Sequence, residues 1–326
     1  MEQRPSVYLN FVRQGLSLAR HLPPHFSKYS NKVYDNHQKM VLLVLKQKAK
    51  TTYRGLIDWL LITPAIRLIL RLKSIPHHTT LVKFAKKLNG KILSLLFAEK
   101  KASIVAVDAT GFETEAKSFY YRNVWNSERT WKTKQYMKLS IAIDAEQQTI
   151  LTYRIRRKLR NDTIDFKQLL EELDIDYVVA DKGYDSRSNR SYVLYAKQAI
   201  PIIPVRLHRN FYGYLRGKKK IDGACYHQRS KVETVFSVLK RKYGSVLRSR
   251  SFAGQQVELI CKLVAYNLDR TTRLYLLLIR GFQQSPPPSP LYTIPTSLLP
   301  YSIYNIYHKE KHARNHLSRM RSRLYL

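Results

Sequence analysis

The sequence predicts an α/β core, built on a mixed five-stranded sheet with flanking helices and preceded by a small helical segment. Three observations carry this. The runs Ile104–Val107 and Tyr177–Ala180 read as short buried strands, each followed at once by an aspartate and a glycine-containing turn signal, Asp108-Ala-Thr-Gly111 and Asp181-Lys-Gly183. Two longer β-like runs, Trp131–Ile143 and Thr149–Arg156, flank the hairpin loop Asp144-Ala-Glu-Gln-Gln. Helical periodicity dominates before residue 100 and returns at Thr163–Leu173, where Ile164, Phe166, Leu169, Leu170 and Leu173 share a face.

Taken in order, residues 1–36 are polar, proline-containing and weakly periodic. Poor order is expected there, apart from a short helix over Tyr8–Ala19. Residues 37–100 read as four basic helices: Gln38–Lys50, Tyr53–Ile62, Pro64–Leu72 with Thr63 as N-cap, and a fourth capped by Thr79 or Thr80 that runs toward Ala98. Such a set could include a helix-turn-helix reader of DNA or could be a bundle supporting the next domain. Residues 101–282 form the α/β domain, in which Asp162 caps the Thr163 helix. A helix over Arg187–Lys197, a strand over Ile200–Val205, a Gly/Lys-rich loop from Leu207 to Gly223 and a helix from Tyr226 follow. Val257–Arg280 reads as a basic amphipathic helix closing the domain. Residues 283–326 hold the proline-rich run Gln283–Pro290 and a basic tail. Three strands, a helix, a strand, a helix, a strand and a helix is the order of the ribonuclease H-like fold.

The 326 residues carry 58 Lys plus Arg against 23 Asp plus Glu, a formal net charge of +35. Self-repulsion of that size calls for a polyanion, and basic residues spread along the whole chain favour an extended nucleic-acid surface over an anionic membrane. The most apolar long segment, Val257–Phe282, carries Glu258, Lys262, Asp269, Arg270, Arg273 and Arg280, so no membrane span is expected. Two cysteines, Cys225 and Cys261, in no metal-ligand spacing fit a reduced, cytoplasmic protein.

The chemistry-bearing stretch is Tyr226 to Lys240. On one helix, Tyr226, Arg229, Glu233 and Lys240 fall on a single stripe, beside an apolar face of Val232, Val235, Phe236 and Leu239. The plainer alternative is a solvated charged stripe held by an Arg229–Glu233 salt bridge. Asp108 and Asp181 weigh against it, because ligands of such sheets gather at the carboxyl ends of neighbouring strands. If those strands are neighbours, the two carboxylates converge and the helix can bring Glu233 to them. Oxygen ligands of this kind suit Mg²⁺, and two such ions suit phosphodiester attack.

Three blocks, Val107-Asp108-Ala-Thr-Gly111, Val179-Ala-Asp181-Lys-Gly-Tyr184-Asp185 and Tyr226 through Lys240, resemble the catalytic blocks of DDE transposases of bacterial and archaeal insertion sequences, in the branch with a Tyr-Arg-Glu-Lys signature. The resemblance covers about 37–280. It implies a ribonuclease H-like core that binds two Mg²⁺ (or Mn²⁺), cuts transposon ends and joins 3′ ends to target DNA. It further implies a homodimer in the DNA complex and a nucleoid-associated place in a prokaryotic cytoplasm. Carried over, Asp108, Asp181 and Glu233 are the catalytic and metal-binding carboxylates, and Tyr226, Arg229 and Lys240 grip DNA. The chain departs from the better-studied members in one respect. Only 51 residues separate Asp181 from Glu233, with no tryptophan among them, so a hairpin-forming cleavage route is not implied. An inactive DNA-binding remnant and a metal-dependent nuclease on the same fold are the alternative readings.

Overall fold

The computed structural model describes residues 6–97, 99–114, 136–157, 161–205 and 223–284. Residues 1–275 form one compact unit. Residues 276–326 form a second, of which the helix end up to Gln284 is described.

Six helices lead the chain: α1 (Val7–Ala19), α2 (Asn36–Lys48), α3 (Tyr53–Ile62), α4 (Pro64–Ile69), α5 (His78–Lys87) and α6 (Gly90–Ser94). Their starts follow local chemistry. Asp35 and Gln38 form a reciprocal capping box on α2, Thr52 accepts from the Gly55 N–H, and Asn89 accepts from the Ile92 N–H. The Asn89 cap divides the expected single helix toward Ala98 into α5 and α6. Thr63 makes no cap bond; its hydroxyl donates back to the Trp59 carbonyl at 2.8 Å. Neither Thr79 nor Thr80 caps α5, which begins at His78 after His77. Phe11 and Val12 of α1 are buried, as are all of Met40–Leu45 in α2.

The sheet contains β1 (Lys101–Thr114), β2 (Tyr136–Asp144), β3 (Ile150–Arg156), β4 (Asp174–Ala180) and β5 (Ile200–Ile202) in the order β3-β2-β1-β4-β5. A two-residue β6 (Val246–Leu247) pairs with the end of β1. β1 to β3 form an antiparallel meander, and β4 and β5 add in parallel. With helices on both faces, this is the ribonuclease H-like α/β core. Asp144 turns the β2–β3 hairpin by accepting from the Glu146 and Gln147 N–H groups at 2.7 and 3.1 Å. On one face α7 (Thr163–Leu170) and α8 (Arg187–Ser191, continued by a π turn to Ala196) cover Val105, Val107, Val178 and Ala180. On the other, Ala106, Phe112, Leu139 and Ile141 share one apolar cluster with the leading helices, α10 (Ser230–Tyr243) and α11 (Phe252–Gln284). A short α9 (Gly223–His227) precedes α10. The leading helices and the sheet are thus built on one core. Asp162 stands at the start of α7 but caps nothing, because its carboxylate pairs with Lys138. The expected strand residues 131–135 and most of the loop 207–223 lie outside the described residues, as does nearly all of 283–326.

A buried ionic cluster ties α10 to its neighbours. Asp269 of α11 takes Lys48 of α2 on one carboxylate oxygen and Lys242 and Tyr243 of α10 on the other. Burial pushes the Asp269 carboxyl up, but hydrogen bonds from Lys242, Lys48 and Tyr243 outweigh it and hold it below its usual range. A lowered folded-state value means that this stability is present above the ordinary carboxylate pKa of about 4 and fades as pH falls through the lowered value. Asp269→Ala, which strands two cations, is expected to cost about 3–5 kcal/mol in urea unfolding at neutral pH. The gap from the wild type should narrow below about pH 4.

Candidate active site

Asp108 stands where its parallel partner ends. The ladder between β1 and β4 runs to Val107 opposite Ala180, and the next residues on the two strands are Asp108 and Asp181. Asp108 does not end β1, contrary to expectation. The strand continues through Thr110-Gly111 to Thr114 because β2 pairs with it, Asp108 to Ile141 and onward to Glu113 with Tyr136. Gly111 serves close packing rather than a turn: a Cβ there would meet the Tyr136 ring at 3.1 Å. Asp181 keeps an extended backbone (φ −70°, ψ 159°) and accepts from the Lys182 N–H at 2.7 Å, opening the 3₁₀ turn Lys182–Tyr184.

By alternation, Asp108, Thr110 and Phe112 share the face on which α10 packs through Val232, Val235, Phe236 and Leu239. That seating brings the polar stripe of α10 to the Asp108–Thr110 stretch of β1. The stripe is not one continuous helix. At the α9–α10 junction, Arg229 N–H bonds the Tyr226 carbonyl and Val232 N–H the Arg229 carbonyl, three-residue spacings that tighten the turn. Arg229 therefore sits at the start of α10, its guanidinium 6.0 Å from the Tyr226 ring centre. Its Nη2 bonds Glu233 Oε1 at 2.8 Å. Lys240, two turns on, donates from Nζ to Thr110 Oγ1 at 2.7 Å and lies 5.7 Å from the Phe112 ring centre.

The charges at this edge act on one another. Burial pushes the Asp108 carboxyl up from its ordinary value. The Ala109 N–H, 2.8 Å from Oδ1, and Arg229 pull it down, while Asp181 and Glu233 push it up again. Burial lowers the pKa of Arg229, but Glu233, Tyr226, Asp181 and Asp108 together raise it. The structure thus brings Asp108, Asp181, Glu233, Arg229 and Tyr226 into one electrostatic group, with Lys240 anchored further along β1.

Hard oxygen donors at neighbouring strand ends are the class that Mg²⁺ and Mn²⁺ accept. Among the described residues, no three carboxylate, His or Cys side chains stand close enough to enclose a metal ion. Glu233 is engaged by Arg229 at 2.8 Å, so the donors suit a hard cation in type, while the side chains as placed do not enclose one. Two residues here escaped the sequence reading. Thr110 is Lys240's acceptor, and the alternation Asp108/Thr110 was the signal that could have found it. Tyr184 is buried at 1% exposure, and its hydroxyl has no hydrogen-bond partner among the described residues. Burial, then Asp162, Asp108, Asp165 and Asp181, push that phenol far up. Its place in the Asp181-Lys-Gly-Tyr block was the only signal.

A family model for the transposase DDE domain matches residues 99–268, more than half of the chain. No curated protein matches. Among the solved structures that match is a cryo-EM structure of a piggyBac transposase synaptic complex with hairpin DNA. It is 10% identical, over 90% of this chain and 85% of that one, with a TM-score of 0.46. No helix among the described residues is long and apolar enough to cross a membrane.

The Arg229–Glu233 pair is open to water, its side chains 25% and 55% exposed. Glu233→Gln is therefore expected to change unfolding free energy by less than about 1 kcal/mol. Thermal and urea unfolding of the variant beside the wild type check this. A larger loss would mean that Glu233 holds α10 in place.

Proposed function

The chain belongs to the family of transposases with a DDE domain, and on that premise we propose that it cuts DNA at the ends of its own mobile element and joins the free 3′ ends to target DNA. Asp108, Asp181 and Glu233 hold two divalent cations, Mg²⁺ or Mn²⁺. The observation that carries this reading is the parallel register that sets Asp108 beside Asp181, beneath the helix that bears Glu233. When bound, the cations offset charge on the attacking and leaving oxygens of the phosphodiester.

The remaining work falls to side chains of the same edge. Arg229 offers a planar fork to phosphate oxygens, and Tyr226 beside it offers a hydroxyl. Lys240 is a point charge whose current acceptor is the neutral Thr110 hydroxyl. A phosphate oxygen is the stronger acceptor, because it adds the attraction of a full opposite charge to the hydrogen bond. The net charge of +35 adds sequence-independent attraction along the duplex. The active assembly on DNA is a homodimer in a prokaryotic cytoplasm.

The test is incubation of the protein with its element ends, Mg²⁺ and a target plasmid, followed by sequencing of the products. Cut ends joined to the plasmid are expected; cutting without joining would make the protein a nuclease instead. Asp108→Asn, Asp181→Asn and Glu233→Gln should each lose cutting and joining while still binding end DNA. Any one that cleaves fully does not belong to the metal site. Lys240→Ala should fold normally and lose end-complex assembly at physiological salt, with partial recovery at low salt.

A further inference from the structure

We infer that the loop between β6 and α11 is a further contact for duplex DNA, in which Arg248 and Arg250 hold backbone phosphates about six base pairs from the cut. The distance to the cut rests on the function proposed above, whereas the contact itself can be tested without it. The segment Arg248-Ser249-Arg250-Ser251 is held from below by α11. Glu258 accepts from the Arg248 N–H at 3.1 Å, and from the Ser249 N–H and hydroxyl at 2.9 and 2.7 Å. Gln255 donates to the Ser249 carbonyl at 3.0 Å, and Lys262 donates to the Gly244 and Val246 carbonyls just before the loop. Gln255, Glu258 and Lys262 are all buried. Gly254 lets the loop sit close, since a Cβ there would meet Ser251 Oγ at 3.0 Å and Ser249 Cβ at 3.2 Å. A loop that only joins two elements has no need of such anchoring, because exposed connections tolerate change and burying charged side chains is costly.

What the anchoring fixes is a pair of guanidiniums. Ser249 turns inward to Glu258, and Arg248 and Arg250 on either side of it are exposed. Neither arginine forms an ion pair among the described residues, and Glu258 spends both oxygens on the N–H and hydroxyl groups of the loop. Guanidiniums that are always charged and have no acid partner suit phosphate oxygens. The net charge of +35 makes a polyanion the class of partner, and position selects duplex DNA within that class. Leu247, the residue before Arg248, pairs with Thr114 of β1. From Asp108 to Thr114 is about 20 Å at about 3.3 Å per residue. Lys240 is held between them, on Thr110. Asp108, Lys240 and Arg248 thus follow one another along a single strand. A duplex cut at Asp108 and laid along β1 reaches the loop after about six base pairs, at about 3.4 Å each.

The experiment titrates a fluorescent duplex carrying the element end with the full chain, at several salt concentrations and without divalent cations. Arg248→Gln combined with Arg250→Gln should lower the slope of log affinity against log salt by about 1.8, since each phosphate neutralised contributes about 0.9. That amounts to binding about 60-fold weaker at about 0.1 M salt, with the gap closing toward about 1 M. The paired change to lysine, which keeps the charge, should keep most of the slope. The control is Arg13→Gln combined with Arg20→Gln, at exposed positions of α1. That helix meets α11 where Gln14 accepts from Thr272, about 30 Å along α11 from Phe252. Equal losses in the two glutamine pairs would make the effect one of overall charge and overturn the inference, as would a folded loop variant with the wild-type slope. Wild-type binding to anionic lipid vesicles that the loop variant loses, with duplex binding unchanged, would assign the loop to a membrane and overturn it too. Ethylation interference needs no variant: modified phosphates about six base pairs from the cut should weaken binding by the wild type, and interference confined to the cut itself rules the contact out. If the slopes behave as stated and the wild type cuts nothing, the function proposed above fails and the phosphate contact stands.

Discussion

Parallel pairing of β1 with β4 constrains everything at the catalytic edge. Parallel strands need a crossover, here α7, and a sheet covered on both faces. Val105 and Val107 pack under α7 and α8, and Ala106 and Phe112 pack under α10 and the leading helices. With both faces of β1 committed to apolar packing, polar side chains can enter only where the neighbouring strand stops. β4 stops at Ala180, and there Asp108 and Asp181 face the gap. A one-residue slip in this ladder would turn Asp108 under α7 and put an apolar residue in its place. The antiparallel pairing of β1 with β2, Asp108 opposite Ile141, holds the strand in place.

The two strands and the aspartates that follow them were legible in the sequence, whereas their pairing was only a condition there and the extent of β1 was not legible. Two short apolar runs, each ending in Asp and followed by Gly, gave both the strands and the carboxylates. The continuation of β1 to Thr114 is a long-range property: it exists because Tyr136–Asp144 pairs with it, and Thr110-Gly111 read locally is turn chemistry. The caps divide the same way. Asp35 and Asn89 act as local rules say, whereas Thr63 bonds backward within α3 and Asp162 is drawn away by Lys138, a partner on another strand. On the Tyr226–Lys240 stripe the spacing was readable, but the break at Arg229 was not, since nothing in Gln228-Arg229-Ser230 opposes a straight helix. The shared core of leading helices and sheet was equally hidden. Six successive buried residues in α2 require cover on all sides, and only the fold says that part of it is the sheet face.

Placement of α10 is over-determined. Its apolar face is seated on β1, its last turn is held by Lys242 and Tyr243 on Asp269, and its end is capped from α11, where the buried Lys262 Nζ bonds the Gly244 and Val246 carbonyls at 2.9 Å each. Burial holds the Lys262 ammonium down to a pKa of about 8. Gly244 allows this, since its φ of +86° is a conformation that other residues rarely adopt. Two buried clusters of opposite charges thus fix one end of the helix, and the exposed Glu233 and the half-buried Arg229 occupy the other. The far end of α10 is the more firmly held of the two.

The electrostatics of the molecule run in opposite directions at two scales. Over the whole chain the charge is +35, which draws any polyanion and raises its on-rate. At the sheet edge the picture differs: Asp108, Asp181 and Glu233 gather negative charge around the Arg229 guanidinium. The global field therefore favours association with a polyanion, and the local carboxylates oppose the close approach of any single anion. Lys240, held on Thr110 at the same face of β1, stands further along that strand, so the positive and negative side chains of this face are set apart.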